Sequence, residues 1–157
     1  MRVYTEMKQK TPGKTWIYLD DVRVPTERGW VLVKNYEEFV DTINRIGLEN
    51  IELISLDHDL GDTAMAEYFN NVHTNFTLDY NNITEKTGMD CAKWLVDQWM
   101  DGKPVCQVTI HSANPVGSAN MMGYINNYYM NSRMSQSCVR VRIPHTMPTK
   151  IDEGNRL

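Results

Sequence analysis

Cysteine is scarce in this 157-residue chain: Cys91, Cys106 and Cys138 are an odd number, and no two have C-x-x-C spacing. That argues against a disulfide framework and against a structural zinc site. Long apolar runs are also missing, and none approaches the ~20 residues that a membrane helix needs. The opening Met1-Arg2-Val3-Tyr4-Thr5-Glu6 lacks the apolar stretch of a signal peptide, so a cytoplasmic location is expected, with no membrane partner. Positive charge is in deficit too. A net charge of −4 argues against an extended nucleic-acid face, which needs clustered Lys and Arg. The balance reverses only locally, where Arg133, Arg140, Arg142, His145 and Lys150 make the last quarter basic and leave room for a small anionic ligand.

What is present fits one globular domain over residues 1–157, with 41% hydrophobic and 23% charged residues. Residues 1–14 read as a polar N-terminal extension closing on the turn Thr11-Pro12-Gly13-Lys14. Trp16-Ile17-Tyr18-Leu19 is short, β-prone and nearly all apolar, as in a strand buried on both faces. It stops at Asp20-Asp21, and Pro25 bars a central strand beyond. Trp30–Val33 and Ile51–Leu56 are further strands. Between them Asn35 and Glu38 form a capping-box-like pair, Tyr36, Phe39, Val40, Ile43 and Ile46 recur at helical spacing, and Gly47 is a stop.

A second helix is expected over 88–101, on the stripe Met89, Ala92, Leu95, Val96 and Trp99. Val105–Ile110 reads as a fourth strand. Asn114 and Pro115 then suit the N-cap and first position of a third helix. Cys138–Ile143 alternates and reads as an edge strand. Residues 62–87, rich in Asn and Thr with an amphipathic piece at Met65–Val72, fall outside this repeat and read as an insertion, either a lid or a tolerated surface excursion.

Alternating strands and helices imply a central, mostly parallel sheet in a three-layer α/β sandwich with helices on both faces. Ligands of such sheets bind beyond the carboxyl ends of the strands. Three polar clusters fall at that end: Asp20-Asp21, Asp57-His58-Asp59 and His111-Ser112. Crowded carboxylates repel one another and commonly hold a hard cation, so Asp20, Asp21 and Asp57 are the expected metal ligands, with Mg²⁺ or Mn²⁺ as cofactor. Histidine as a residue type titrates near neutrality, so His58 and His111 suit a role in proton transfer, or a transition-metal site alongside the carboxylates. With Asp57 they form the expected catalytic set. Arg23 offers a planar fork to a phosphate. Ser112 and Asn114 can donate to an anion at a helix N-terminus, or simply cap that helix. Asp59 joins these three as an expected substrate-binding residue.

The residues resemble a known family at this point. Asp20-Asp21, Asp57 and Ser112 look like the acid pair, phospho-acceptor and hydroxyl residue of response-regulator receiver domains. The fuller set, Asp20-Asp21-x-Arg23-x-Pro25, Asp57-His58-Asp59-Leu60-Gly61 and His111-Ser112-x-Asn114-Pro115, resembles the divergent cyclic-phosphate processing receiver domains over roughly residues 15–130. The resemblance implies a receiver-like, flavodoxin-type sheet and the handling of cyclic phosphates, at RNA ends or in cyclic nucleotides, in bacteria and their phages. A phage-encoded chain would act in the host cytoplasm. The two histidines depart from the usual receiver pattern. The lysine at the end of the last receiver strand has no clear counterpart, Arg140 or Arg142 being the nearest.

Three readings follow. The first is a metal-dependent phosphoesterase acting on a cyclic phosphate or nucleotide phosphate. The second is a non-catalytic receiver-like module that captures a nucleotide or a partner protein, with Tyr68, Phe69, Phe76 and Tyr80 of the insertion able to stack on bases. The third is a phospho-acceptor switch at Asp57. The expected partner is a small phosphate-bearing ligand or an RNA end, and self-association into a homo-oligomer is left open.

Overall fold

A computed structural model describes residues 9–147, so residues 1–8 of the expected extension lie outside the described part. The strands in chain order are β1 (Thr15–Leu19), β2 (Val24–Pro25), β3 (Trp30–Val33), β4 (Ile51–Leu56), β5 (Gln107–Ile110), β6 (Val139–Arg140) and β7 (His145–Thr146). The helices are α1 (Tyr36–Ile46), α2 (Asp62–Glu67), α3 (Gly88–Met100) and α4 (Pro115–Asn131). Five strands form one sheet in the order β3-β1-β4-β5-β6, every neighbouring pair parallel. This is the receiver-like, flavodoxin-type α/β order, in which the connections out of the central strands part at β1 and β4.

Local chemistry sets the helix bounds. The Asn35 side chain accepts the Glu38 N–H at 2.8 Å, and Gly47 ends α1 at φ +92°, a conformation that favours glycine. Thr87 and Asp90 form a full capping box on α3. Asn114 caps α4 through the Gly117 N–H, with Pro115 at its first turn.

Two expected strands prove shorter. The β4–β5 ladder begins at Leu53 and Gln107, so Val105 and Cys106 only approach the sheet. Of Cys138–Ile143 only Val139 and Arg140 pair, because β5 has run out: Val141 N–H closes the ladder on the Ile110 carbonyl at 2.7 Å. Beyond it Val141 and Ile143 stay buried while Arg140 and Arg142 are exposed.

The two faces of the sheet are unequal. The apolar stripes of α1, α3 and α4 all join Ile17, Leu19, Ile54, Leu56, Val108 and Ile110 in one core. Trp16, Tyr18, Trp30 and Leu53 point to the other face and are packed with Val141 and Ile143. Helical cover was expected on both faces; among the described residues these three helices share one. The physical reason lies between β1 and β3, where the connection makes only β2, paired antiparallel with β7, and no helix.

The 62–87 segment continues α2 through a π turn (Tyr68–Val72) and a last turn (His73–Asn75). Two carboxylates tie it down. Glu67, only 4% exposed, accepts from the Asn71 and Asn82 side chains and from the Asp79 N–H. Glu85 accepts from the Ala64 N–H and the Thr63 hydroxyl. Phe69 and Phe76 are 58% and 70% exposed on this segment. No helix among the described residues is long and apolar enough to cross a membrane.

Candidate functional site

The site forms where β1 and β4 end side by side, held together by the Asp57 N–H donating to the Leu19 carbonyl at 3.1 Å. The chain turns immediately after β1 over the Asp20 carboxylate. Its Oδ1 accepts the Val22 and Arg23 N–H groups at 2.9 and 2.7 Å. Its Oδ2 accepts Arg23 Nε at 2.9 Å and faces His111 Nε2 at 3.1 Å. Asp57 Oδ1 accepts the His58 N–H at 2.9 Å and meets Arg23 Nη2 at 3.2 Å. One guanidinium thus spans two buried carboxylates.

Asp20, Asp21 and Asp57 each present an oxygen, and the three oxygens lie within 4.8 Å of one another. Burial and the Asp20 charge push the Asp57 carboxyl well above the usual range, although Arg23 opposes this. Burial and Asp20 likewise push Asp21 up to about 6. Asp20 goes the other way: burial would raise it, but the His111 hydrogen bond and the Arg23 charge hold it below its ordinary value. Three crowded oxygen donors carrying more negative charge than one arginine balances suit a hard divalent cation. The cluster could therefore hold a metal ion, through the oxygens that the sequence points to.

His111 belongs to the face opposite α1, α3 and α4. Its ring stacks on Tyr18, centroids 4.2 Å apart at 7°. The Thr109 hydroxyl donates to Ser55 Oγ at 3.0 Å, and Ser55 Oγ lies 2.8 Å from His111 Nδ1. The chain of donors has one consistent sense: Ser55 O–H donates to Nδ1, and Nε2–H donates to Asp20. Burial lowers the His111 pKa against the pull of Asp20, which fits a neutral ring.

His58 lies on the opposite, helical side, fully buried. Its Nδ1 meets Asp59 Oδ1 at 2.7 Å and its Nε2 meets the Tyr80 hydroxyl at 2.9 Å. Asn114 Nδ2 donates to that same Asp59 oxygen at 3.1 Å. The structure thus brings Asp20, Asp21, Arg23, Asp57 and His111 together and gathers His58, Asp59 and Asn114 into a second cluster behind them. Ser112 does both kinds of work: its Oγ accepts the Asn114 N–H at 3.1 Å, and it lines a cavity of about 480 Å³ with Arg23 and His111.

Sequence reasoning missed Ser55 and Thr109, and named Tyr80 only as an aromatic of the insertion able to stack on bases. The first two carried a signal, since each is a hydroxyl residue inside an otherwise buried strand, where a polar side chain needs a partner. Nothing in the sequence ties Tyr80 to His58; it reaches that ring because the 62–87 segment folds back, and Asn120 donates to its hydroxyl at 3.2 Å.

The raised Asp21 carboxyl has a consequence for stability. Between about pH 4 and pH 6 the folded state keeps a proton there that the unfolded chain has lost, so this group's contribution falls as pH rises through that window. Metal-free Asp21→Asn is accordingly expected to be more stable than the parent at pH 7.5. The gain is about 1 kcal/mol, discounted for the solvent that still reaches this half-exposed carboxylate, and much less at pH 4. Urea melts of both proteins in chelator at the two pH values check this; a gain that is equal at both would refute the charge argument.

A family model described as the cyclic-phosphate processing receiver domain matches residues 15–127, which takes in the carboxylates, both histidine clusters and most of α4. No curated protein and no solved structure matches the chain. With the match covering well over half of its length and the sheet in receiver order, the chain belongs to the family of cyclic-phosphate processing receiver domains.

Proposed function

We propose that this protein is a metal-dependent phosphoesterase acting on a cyclic phosphate of a nucleotide or RNA end. The observation that carries the reading is the set of three carboxylate oxygens within 4.8 Å of one another, bridged at Asp20 and Asp57 by one arginine. Asp20, Asp21 and Asp57 would hold a divalent cation there, and it would supply Lewis-acid polarisation of a phosphoryl oxygen and activation of a water. Arg23 anchors the phosphate oxygens, where charge builds up during attack, and is held for that purpose by the carboxylates on either side. His111 acts chiefly as a positioning residue: both its ring nitrogens are engaged, and it fixes the Asp20 carboxylate that would help to hold a metal. His58, Asp59 and Asn114 set the β4 and α4 ends that frame the site.

A second reading, a module that captures a nucleotide without turnover, is favoured by one observation. Both ring nitrogens of both histidines already have partners, so neither histidine is free to act as acid or base. The deciding experiment offers 2′,3′-cyclic and 3′,5′-cyclic nucleotides with Mg²⁺, Mn²⁺ or chelator. The expected result is metal-dependent ring opening, reduced at least tenfold in His111→Ala and rescued in part by His111→Gln, whose amide can still donate to Asp20. Intact nucleotides under every condition would overturn the enzyme and leave the capture module.

A further inference from the structure

The face of the sheet opposite α1, α3 and α4 is hollow near the strand ends, and the hollow is cationic. The 480 Å³ cavity is lined by Tyr18, Arg23, His111, Arg140, Arg142 and His145 among others, and among the described residues no Asp or Glu contributes to its wall. In a chain of net charge −4 this is a strong local reversal. Arg23 is largely neutralised by Asp20 and Asp57, but among the described residues no acid pairs with the other two arginines. Arg140 spends Nε and Nη2 on the Ser112 carbonyl, at 3.0 and 2.9 Å, a neutral acceptor that fixes the guanidinium plane and leaves its charge unbalanced. Arg142 makes no hydrogen bond or ion pair among the described residues. Strand alternation explains the pairing: Val141 is buried between them, so both arginines project from the same side of the segment.

The cavity is also larger than one phosphate requires and falls within the range of small-ligand pockets. Arg23 joins it to the carboxylates, so a molecule lying in it reaches the reacting centre without crossing the insertion. We infer that this cavity is an anion subsite for a second phosphate of the ligand, making the ligand a nucleotide-sized molecule with phosphates at two places. One phosphate is at the carboxylate cluster, and the other is held by Arg140 and Arg142. This deepens the proposed function and rests on it for the identity of the first phosphate. The second phosphate is either a terminal 5′-phosphate or the next phosphodiester of an RNA strand.

The subsite is testable without any metal. Pyrophosphate titrated into the full chain in chelator is expected to bind, with Kd raised tenfold or more in Arg142→Ala and unchanged in Arg45→Ala, a control on the exposed face of α1. Arg142 is the cleaner site because Arg140 also holds the Ser112 carbonyl. In turnover, nucleoside 2′,3′-cyclic phosphates carrying a 5′-phosphate are expected to show a lower KM than those without one, a preference that Arg142→Ala removes. A cyclic-ended dinucleotide showing the same preference identifies the phosphodiester as the source. No pyrophosphate binding, or equal weakening by Arg45→Ala, overturns the subsite while leaving metal-dependent hydrolysis intact. Binding through Arg142 without hydrolysis of any substrate keeps the subsite and overturns the phosphoesterase.

Discussion

Asp57→Asn is expected to abolish metal-dependent turnover, by a factor of at least ~10³, while the protein stays folded. A metal site of three carboxylates loses one charged ligand, and a thousandfold loss is about 4 kcal/mol of transition-state stabilisation, within what a Lewis-acid cation supplies. The fold survives for a local reason. Asn keeps the volume and keeps an oxygen to accept the His58 N–H, which Asp57 Oδ1 now accepts at 2.9 Å. The neutral amide also escapes the penalty that burial and Asp20 impose on the buried carboxylate, against which Arg23 works. The melting temperature in chelator is therefore expected to hold or rise, and the stabilisation by Mn²⁺ to shrink. Turnover, Mn²⁺ titration and thermal melts of the pair measure all three. Retained turnover would remove Asp57 from the metal site, and a collapse of the melt in chelator would mean that the Arg23 pairing matters more than the crowding.

The same residues show how far a sequence alone reaches. Strand ends carrying acids, such as Leu19-Asp20 and Leu56-Asp57, are legible because a buried apolar run that stops at a carboxylate has few structural excuses. Their side-by-side placement follows once a parallel sheet is inferred. Helix bounds at Asn35 and Asn114 are legible for the same kind of reason, a cap being a local chemical fact. What a residue beyond the strand end faces is a different matter. Asp57 and His58 are neighbours in the chain, yet one enters the carboxylate cluster and the other is buried beneath α4. A side chain's face at a turn is fixed by what packs over it, and here that is Gly117, whose position leaves only the imidazole room. Asn114 and Ser112 were open between capping and ligand binding; Asn114 caps α4, and Ser112 both supports that cap and reaches the cavity.

The unequal faces also escape a periodicity argument. An apolar strand such as Trp16–Leu19 demands cover on both sides but does not say whether a helix supplies it. On the second side Val141, Ile143 and the aromatic rings of Trp16, Tyr18 and Trp30 cover one another, with the two tryptophan centroids 5.1 Å apart. That arrangement keeps the strand ends reachable from the side, where the arginines stand. The proposed function therefore rests on the helix-free β1–β3 connection as much as on the acidic motif.

Gly88→Ala is expected to be the most damaging small substitution in the protein, although it adds a single methyl group at the first residue of α3. A Cβ there would sit 1.9 Å from the Asp57 carbonyl oxygen, which is backbone and has no rotamer to escape into. The Gly88 N–H meanwhile donates to the His58 carbonyl at 2.9 Å, fastening the helix start onto the end of β4. Accommodating the methyl means lifting α3 from the strand, breaking that bond and tilting the Asp57 carboxylate out of the cluster. Overpacking against immovable backbone costs about 3 kcal/mol or more, which for a domain of this size lowers Tm by about 6–12 °C. Gly123→Ala is the internal comparison. It lies within α4 with nothing within 4 Å of its added methyl, and helix propensity makes it stabilising by up to about 1 kcal/mol. Paired melts, with Mn²⁺ titrations on whatever fraction of Gly88→Ala folds, read both halves of the expectation. Equal melting of the two variants would show that the α3–β4 junction yields, and with it that Asp57 is held less firmly than its neighbours imply.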